Sequence, residues 1–274
     1  MNRKLIFLDI DGTLVEAGSN TPPESALRAI RASQAKGNKV FLCTGRNPAM
    51  LAPVLAYGFD GMVASAGGYV TIGDEVIYDQ PMTGEQLKTA LDSLHRNGVF
   101  CTIEARDATY GDENLGEFLK NASGGNSEIE RWRKALSESL NIRPMAEYDG
   151  RPVYKVVVMA GKNEQMDEAR SLLEKEFNFC IQDVPAHGCV NGELINRAFD
   201  KGRGVRRIAE ALGVPMEDTY GFGDSMNDLE MIETVAHSVC MENGSDRLKE
   251  SADLVCPAVD RDGLAWAFEK LELI

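Results

Sequence analysis

The sequence predicts an α/β protein in two parts, a parallel-sheet core covered by helices and an inserted α+β unit of roughly a hundred residues. Three observations carry this expectation. The chain opens with strands that are apolar on both faces, separated by helix-patterned segments. The rhythm changes near Gly84 to a mixed order, and strand–helix alternation returns after Gly188. Strands apolar on both faces mark a parallel sheet buried between helix layers. The expected division is residues 1–82 and 188–274 for the core and 83–187 for the insert.

Leu5, Ile6, Phe7 and Leu8 form the first buried strand, which ends in two aspartates, Asp9 and Asp11, followed by Gly12 and Thr13. In TPPESALRAIRASQAKGN, Thr21 is the expected N-cap, with prolines in the first turn, Glu24 completing a capping box and Gly37 ending the helix. KVFLC (39–43) is a second strand and TGRN follows it; Asn47 and Pro48 open a helix to about Tyr57. MVASAGGYVTIGDEVIYDQP (62–81) reads as a strand and then a hairpin about Gly73 and Asp74.

In the insert, the pattern predicts a helix at 84–96, a strand near 99–104, a polar Gly/Asn/Ser stretch at 121–127 and a helix to about 140. The strand VYKVVVMA (153–160), a helix at 163–176 and the strand FCIQDV (179–184) complete it. The returning core reads as CVNGELI, a helix from Lys201 to Leu212, the strand TYGFG (219–223), a helix from Ser225, the strand HSVCM and a last helix from about Asp262. Asp9, Asp11 and Thr44 then stand at the carboxyl ends of parallel strands, the edge where open α/β sheets bind ligands.

Composition excludes several classes. Acidic residues outnumber basic ones 43 to 29, a net charge of -14 that disfavours nucleic acid and anionic lipid, so an anionic ligand needs a local cationic pocket. No run approaches the ~18 apolar residues of a membrane span. Arg3 and Lys4 precede an apolar run too short for the ~7 to 15 residues of a signal-peptide core, so a cytoplasmic protein is expected. Cys43, Cys101, Cys180, Cys189, Cys240 and Cys256 include no CxxC pair, which suggests reduced core thiols and neither a disulfide framework nor a zinc site. His95, His187 and His237 are far apart in sequence and read as surface or core residues.

The carboxylates at strand ends are the informative feature. A D-x-D-G start resembles a calcium loop, but the fifth and sixth positions, where that loop needs a ligand and a glycine, are Thr13 and Leu14. In YGFGDSMNDLEM, Asp224 closes another apolar strand, with Asn227 and Asp228 within one helical turn. If the strands at 5–10 and 219–223 are neighbours, Asp9, Asp11 and Asp224 converge and repel one another. A divalent cation relieves that repulsion, and oxygen-only ligands point to Mg²⁺. Each piece alone has an ordinary explanation, since Asp, Asn and Thr favour helix caps and a single lysine is usually solvated. Together, four polar sites terminate strands or start helices on one edge.

DIDGT (9–13), LCTGR (42–46), KGRG (201–204) and GDSMND (223–228) resemble, in order and spacing, the four motifs of the haloacid dehalogenase-like phosphatases, whose core is a Rossmann-like parallel sheet. The insert between the second and third motifs resembles the large cap of the Cof-type subfamily. GELI ahead of Lys201 and DRDGLAWAFEKL (260–271) extend the match. The resemblance implies that Asp9 is the nucleophile that forms an aspartyl-phosphate, and that Asp11 is the acid that protonates the leaving oxygen and then the base that activates water. The Gly12-Thr13 turn would bend the chain so that both carboxylates address one phosphate. It further implies Mg²⁺ held by the Asp9 carboxylate, the Asp11 carbonyl and Asp224, with Asp228 orienting waters. Ile10, Thr44, Gly45, Lys201 and Asn227 would grip the phosphoryl oxygens, and Lys201 also counts among the catalytic groups.

The function so implied is Mg²⁺-dependent hydrolysis of a small-molecule phosphate ester, a sugar phosphate in the first instance, with no nucleic acid or membrane partner. The cap would choose the substrate, with Glu104, Arg106, Tyr110, Arg131, Trp132 and Arg151 as candidates. Two rivals share the core: a phosphotransferase of phosphomannomutase type, and a non-catalytic protein that binds phosphorylated metabolites. CTGR in the second motif and the presence of both Asp9 and Asp11 favour hydrolysis. Cof-type proteins commonly carry Asn-Gly where this chain has Ala66-Gly67, and His237 replaces a small residue.

Overall fold

The computed structural model describes residues 3–117, 142–184 and 189–274. They fall into two units, Met1–Arg46 with Leu51–Asp79 and Phe199–Ile274, and Asn47–Met50 with Gln80–Ala198.

In the first unit, β1 (Leu5–Leu8) lies between β2 (Lys39–Cys43) and β12 (Thr219–Gly223), parallel to both, with Leu8 opposite Leu42 on one side and Phe222 on the other. β3 (Gly61–Ala64) extends the parallel set beyond β2, and β13 (His237–Met241) and β14 (Leu254–Cys256) extend it beyond β12. β4 (Tyr69–Ile72) and β5 (Glu75–Asp79) add the antiparallel hairpin expected about Gly73 and Asp74. The sheet order is β14-β13-β12-β1-β2-β3-β4-β5.

All four residues of β1 are fully buried, because both faces are covered. Ile6 and Leu8 pack with α1 (Glu24–Ala35) and α8 (Gly263–Lys270) through Ala26, Ile30, Leu264 and Phe268. Leu5 and Phe7 pack on the other side with Val205 and Ile208 of α5 (Lys201–Leu212). At ~1.5–3 kcal/mol for each large apolar side chain removed from water, this double burial decides the strand.

Three local expectations are corrected. α1 starts at Glu24 behind Pro23, with no side-chain cap, so Thr21 is not its N-cap. Pro23 stays extended at ψ 143, and the Thr21 amide bonds the Ser19 hydroxyl instead. The helix expected after Asn47 is a 3-10 turn at Pro48–Met50 followed by the short α2 (Ala52–Leu55). After β12, a 3-10 turn at Met226–Asp228 leads into α6 (Leu229–Ile232), and α7 (Asp246–Ser251) precedes β14; neither α7 nor β14 has enough residues to show a period in sequence.

The second unit contains α3 (Gly84–Arg96), capped by Thr83 and Gln86, then β6 (Phe100–Ala105), β7 (Thr109–Gly111), β8 (Ile142–Pro144), β9 (Val153–Ala160), α4 (Asp167–Leu173), β10 (Phe177–Val184) and β11 (Cys189–Asn196). Its sheet order is β10-β11-β9-β6-β7-β8. This moves the second boundary of the insert. CVNGELI belongs to this sheet and not to the returning core: β11 pairs antiparallel with β10 along its length and with β9 on its other side. Val190 and Leu194 join the core of this unit, an alternation that suits an antiparallel strand, and the unit runs to Ala198. The polar stretch at 121–127 and the helix to about 140 lie outside the described residues.

Candidate active site

The first unit brings its strand-end residues together. β12, β1 and β2 are adjacent and parallel, so Asp224, Asp9 and Thr44 emerge side by side at their carboxyl ends. The Asp9 amide continues the ladder by donating to the Phe222 carbonyl at 2.9 Å. Asp9 is 5% exposed.

Lys201 is the first residue of α5, whose N-cap is Asp200, with the side chain accepting the Arg203 amide at 2.7 Å. This capping starts the helix where the Lys201 side chain reaches inward, 1% exposed. Its Nζ donates to Asp9 Oδ1 at 2.7 Å, to Asp228 Oδ1 at 2.5 Å and to Asn227 Oδ1 at 3.5 Å. Burial alone opposes its charge, but Asp228 and Asp9 hold the ammonium well above its usual range.

Both oxygens of Asp228 are engaged by the protein. Its second oxygen accepts the backbone amides of Asp224 and Ser225, both at 3.0 Å. It therefore pins the loop that carries Asp224. Asp224 itself accepts the Thr13 hydroxyl at 3.2 Å. Burial, and next the Asp228 charge, push the Asp224 carboxyl up to about 7. Asp9 is also raised, first by burial and then by Asp228, against the opposing pull of Lys201.

Oxygens of Asp9, Asp224 and Asp228 lie within 4.8 Å of one another. One ammonium balances only part of that charge, and Asp228 is already engaged, so a divalent cation fits against Asp9 and Asp224. The donor set is all oxygen, which suits Mg²⁺. Gly12 makes room for it: at φ +86 it turns the chain, and a Cβ there would stand 2.4 Å from Asp224 Oδ2. Asn243 donates to the Gly12 carbonyl at 2.9 Å and holds the turn from behind.

Asp11 is gripped by the arginine of the second motif. Arg46 forks onto it, Nε to Oδ2 at 2.8 Å and Nη2 to Oδ1 at 2.7 Å, and the Gly18 amide donates to Oδ1 at 2.9 Å. Arg46 is fixed in turn by Asn20 Oδ1 at 2.7 Å and the Ser19 carbonyl at 3.0 Å. Sequence reading gave Arg46 no role, although CTGR contains it; the signal was the residue type beside a carboxylate cluster. Thr13, Asn20 and Asn243 had no comparable signal, since each acts through a contact between distant segments.

The remaining phosphate candidates are also local to this edge. Thr44 is buried and its hydroxyl accepts the Arg46 amide at 3.1 Å. A Cβ on Gly45 would lie 3.9 Å from Asn227 Nδ2, so the second and fourth motifs face each other. The Ile10 side chain is fully buried, which leaves its backbone to meet a ligand. His237 stacks on Tyr220, 4.4 Å between ring centres.

The insert candidates lie in the second unit. Glu104 meets Lys155 at 3.3 Å, Arg106 donates to the Tyr154 hydroxyl at 3.0 Å, Tyr110 packs edge-on against Tyr148, and Arg151 pairs with Asp149 at 2.9 Å. Arg131 and Trp132 lie outside the described residues. Among the described residues no helix is long and apolar enough to cross a membrane. Cys43, Cys101, Cys240 and Cys256 are buried free thiols, and Cys180 is exposed.

A family model for haloacid dehalogenase-like hydrolases matches residues 6–268. YkrA of Bacillus subtilis is 29% identical over the whole of both chains. The 5-amino-6-(5-phospho-D-ribitylamino)uracil phosphatase YwtE of the same organism is 26% identical over 98% of each chain. The solved structure of the HAD subclass IIB sugar phosphatase BT4131 aligns with a TM-score of 0.78 at 25% identity, covering 99% of this chain and 100% of that one.

Proposed function

The chain belongs to the haloacid dehalogenase-like hydrolase family, as a phosphatase of Cof type, and on that premise we propose that it hydrolyses small phosphate monoesters with Mg²⁺ through an aspartyl-phosphate on Asp9. The observation that carries this reading is the Lys201 ammonium bridging Asp9 and Asp228 while Asp224 stands beside them, its side chain accepting the Thr13 hydroxyl. That arrangement sets the nucleophile against a fixed cation and leaves carboxylate charge for a second one to neutralise.

Asp9 and Asp224 would hold Mg²⁺, which supplies charge neutralisation and polarises a phosphoryl oxygen when bound. The Asp9 carboxylate attacks phosphorus and the phosphorus–ester oxygen bond breaks. The leaving oxygen takes a proton from Asp11. Water then attacks the aspartyl-phosphate, Asp11 recovers a proton from it, and inorganic phosphate leaves with Asp9 restored. Lys201, Thr44, the Gly45 and Ile10 backbones and Asn227 bind the phosphoryl oxygens, where charge must be stabilised.

Arg46 is a positioning residue in this scheme. A carboxylate held by a guanidinium fork accepts a hydrogen bond on each oxygen, so the oxygen that carries the proton gives up its bond while the other keeps Arg46 aiming the carboxyl.

The substrate class we infer is a phosphorylated sugar or a related polyol metabolite, supported by the sugar phosphatase among the solved relatives. Phosphate release from a panel of phosphorylated sugars, nucleotides and cofactors, with Mg²⁺ or chelator, tests the reading. Release that needs Mg²⁺ and disappears in Asp9→Asn is expected. Conversion of a sugar 1-phosphate to its 6-phosphate without free phosphate, or release that survives Asp9→Asn, would overturn it.

A further inference from the structure

In the second unit, three side chains of metal-ligating type meet. His95 sits in the last turn of α3, Cys101 on β6, and Asp112 directly after β7. Their donor atoms all lie within 4.8 Å of one another. His95 Nε2 stands 3.0 Å from Asp112 Oδ2, and the Cys101 amide donates to that same oxygen at 2.7 Å.

The placement is set by regular structure. β6 and β7 pair with Thr102 opposite Gly111, so Cys101 and Asp112 are the next rung, closed by the Asp112 amide on the Cys101 carbonyl at 3.1 Å. The α3 terminus is tied to the same corner by the Val99 amide donating to the Leu94 carbonyl at 3.0 Å. A cleft of about 220 Å³, lined by His95, Gly98, Val99, Phe100, Asp112 and Glu113 among others, opens beside two of the three, His95 and Asp112. His95 is exposed and Asp112 partly so, which gives solvent a route to those two donors, while Cys101 is buried behind them.

We propose that His95, Cys101 and Asp112 form a binding site for a borderline-soft divalent metal of the Zn²⁺ class, with water from the cleft in the fourth position. An imidazole, a thiolate and a carboxylate are the donor types Zn²⁺ selects, whereas Mg²⁺ prefers oxygen alone. Bonds of ~2.0–2.3 Å around a tetrahedral ion put donor atoms ~3.3–3.8 Å apart, inside the spread these atoms already have. Loading displaces the thiol proton to solvent, and the His95–Asp112 hydrogen bond is exchanged for metal bonds, so binding strengthens as pH rises. The site would staple the end of α3 to the β6–β7 hairpin. It shares no residue with the carboxylate cluster of the first unit.

The probe is Co²⁺ titrated into the reduced full-length protein with excess Mg²⁺ present. One equivalent is expected to bind, with the near-ultraviolet absorption of a thiolate–cobalt bond, which Cys101→Ser abolishes. His95→Ala, at an exposed position, should fold normally and weaken binding by at least ~10-fold. Zn²⁺ should raise the Tm of the wild type and not of His95→Ala. Absence of the thiolate–cobalt band, or a band and affinity unchanged in either variant, would overturn the proposal.

Discussion

Arg46 grips Asp11 through both carboxylate oxygens, Nε to Oδ2 at 2.8 Å and Nη2 to Oδ1 at 2.7 Å, with the arginine side chain almost fully buried. A fork of this kind fixes direction as well as charge, and lysine cannot reproduce it.

Arg46→Lys should therefore lower kcat while leaving KM within a few-fold. The loss should be largest for alkyl phosphates, whose leaving oxygen needs a proton, and small for aryl phosphates with acidic leaving groups. Asp11→Asn should show the same pattern more strongly, ~10²–10⁴-fold on alkyl esters. Equal losses on both ester classes would show that the pair serves folding and not proton delivery.

Lys201 has the greatest structural leverage. Replacing it with methionine leaves Asp9 and Asp228 facing each other in a buried site without their cation. Removal of one partner from such a group costs ~3–5 kcal/mol. Urea unfolding of Lys201→Met should show a loss of that size, together with loss of phosphate release. A stable but inactive variant would mean that the carboxylates take up protons and the lysine matters for substrate alone.

The raised Asp224 carboxyl predicts how stability of the metal-free protein depends on pH. Its value is about 7 in the folded chain, against ~3.9 when unfolded. A group raised by folding favours the folded state below the unfolded value, and that contribution is lost as pH rises through about 7. In chelator, Tm should fall between about pH 5 and about pH 8. Mg²⁺ competes with the proton, so its stabilising shift should be larger at the higher pH. A Mg²⁺ shift independent of pH, or abolished equally by changes distant from Asp224, would refute this.

Ala66 holds a φ of +55 beside Ser65 at +50, a left-handed conformation that costs a side chain with a Cβ ~1–2 kcal/mol. Ala66→Gly removes that strain but adds freedom to the unfolded chain, so a net gain of ~0.5–1 kcal/mol is expected. Asn tolerates this region too, so Ala66→Asn should be accepted there without loss of stability. Ala90→Gly, inside α3 and fully buried, should instead destabilise by ~1 kcal/mol or more. Denaturant midpoints of the two variants moving in the same direction would contradict the backbone explanation.

Much of the fold was legible because the core strands carry their own evidence. Leu5–Leu8, Lys39–Cys43 and Thr219–Gly223 are apolar on both faces and bounded by polar residues, and each forms a strand of the parallel sheet. The α1 start was misread because a capping-box pattern at Thr21 ignored what two successive prolines do to the backbone. β11 was assigned to the wrong unit because an eight-residue strand says nothing about its partner.

By itself the sequence determined which residue types terminate the strands, and hence that carboxylates, a threonine and a lysine-headed helix compete for one sheet edge. Strand periodicity and capping are local, so they survive without coordinates. Only the tertiary structure decided who pairs with whom: Lys201 with Asp9 across 192 residues, Thr13 with Asp224 across 211, and Arg46 with Asp11 across 35. Those pairings depend on strand order and side-chain direction after folding, because opposite charges attract through space and not along the chain.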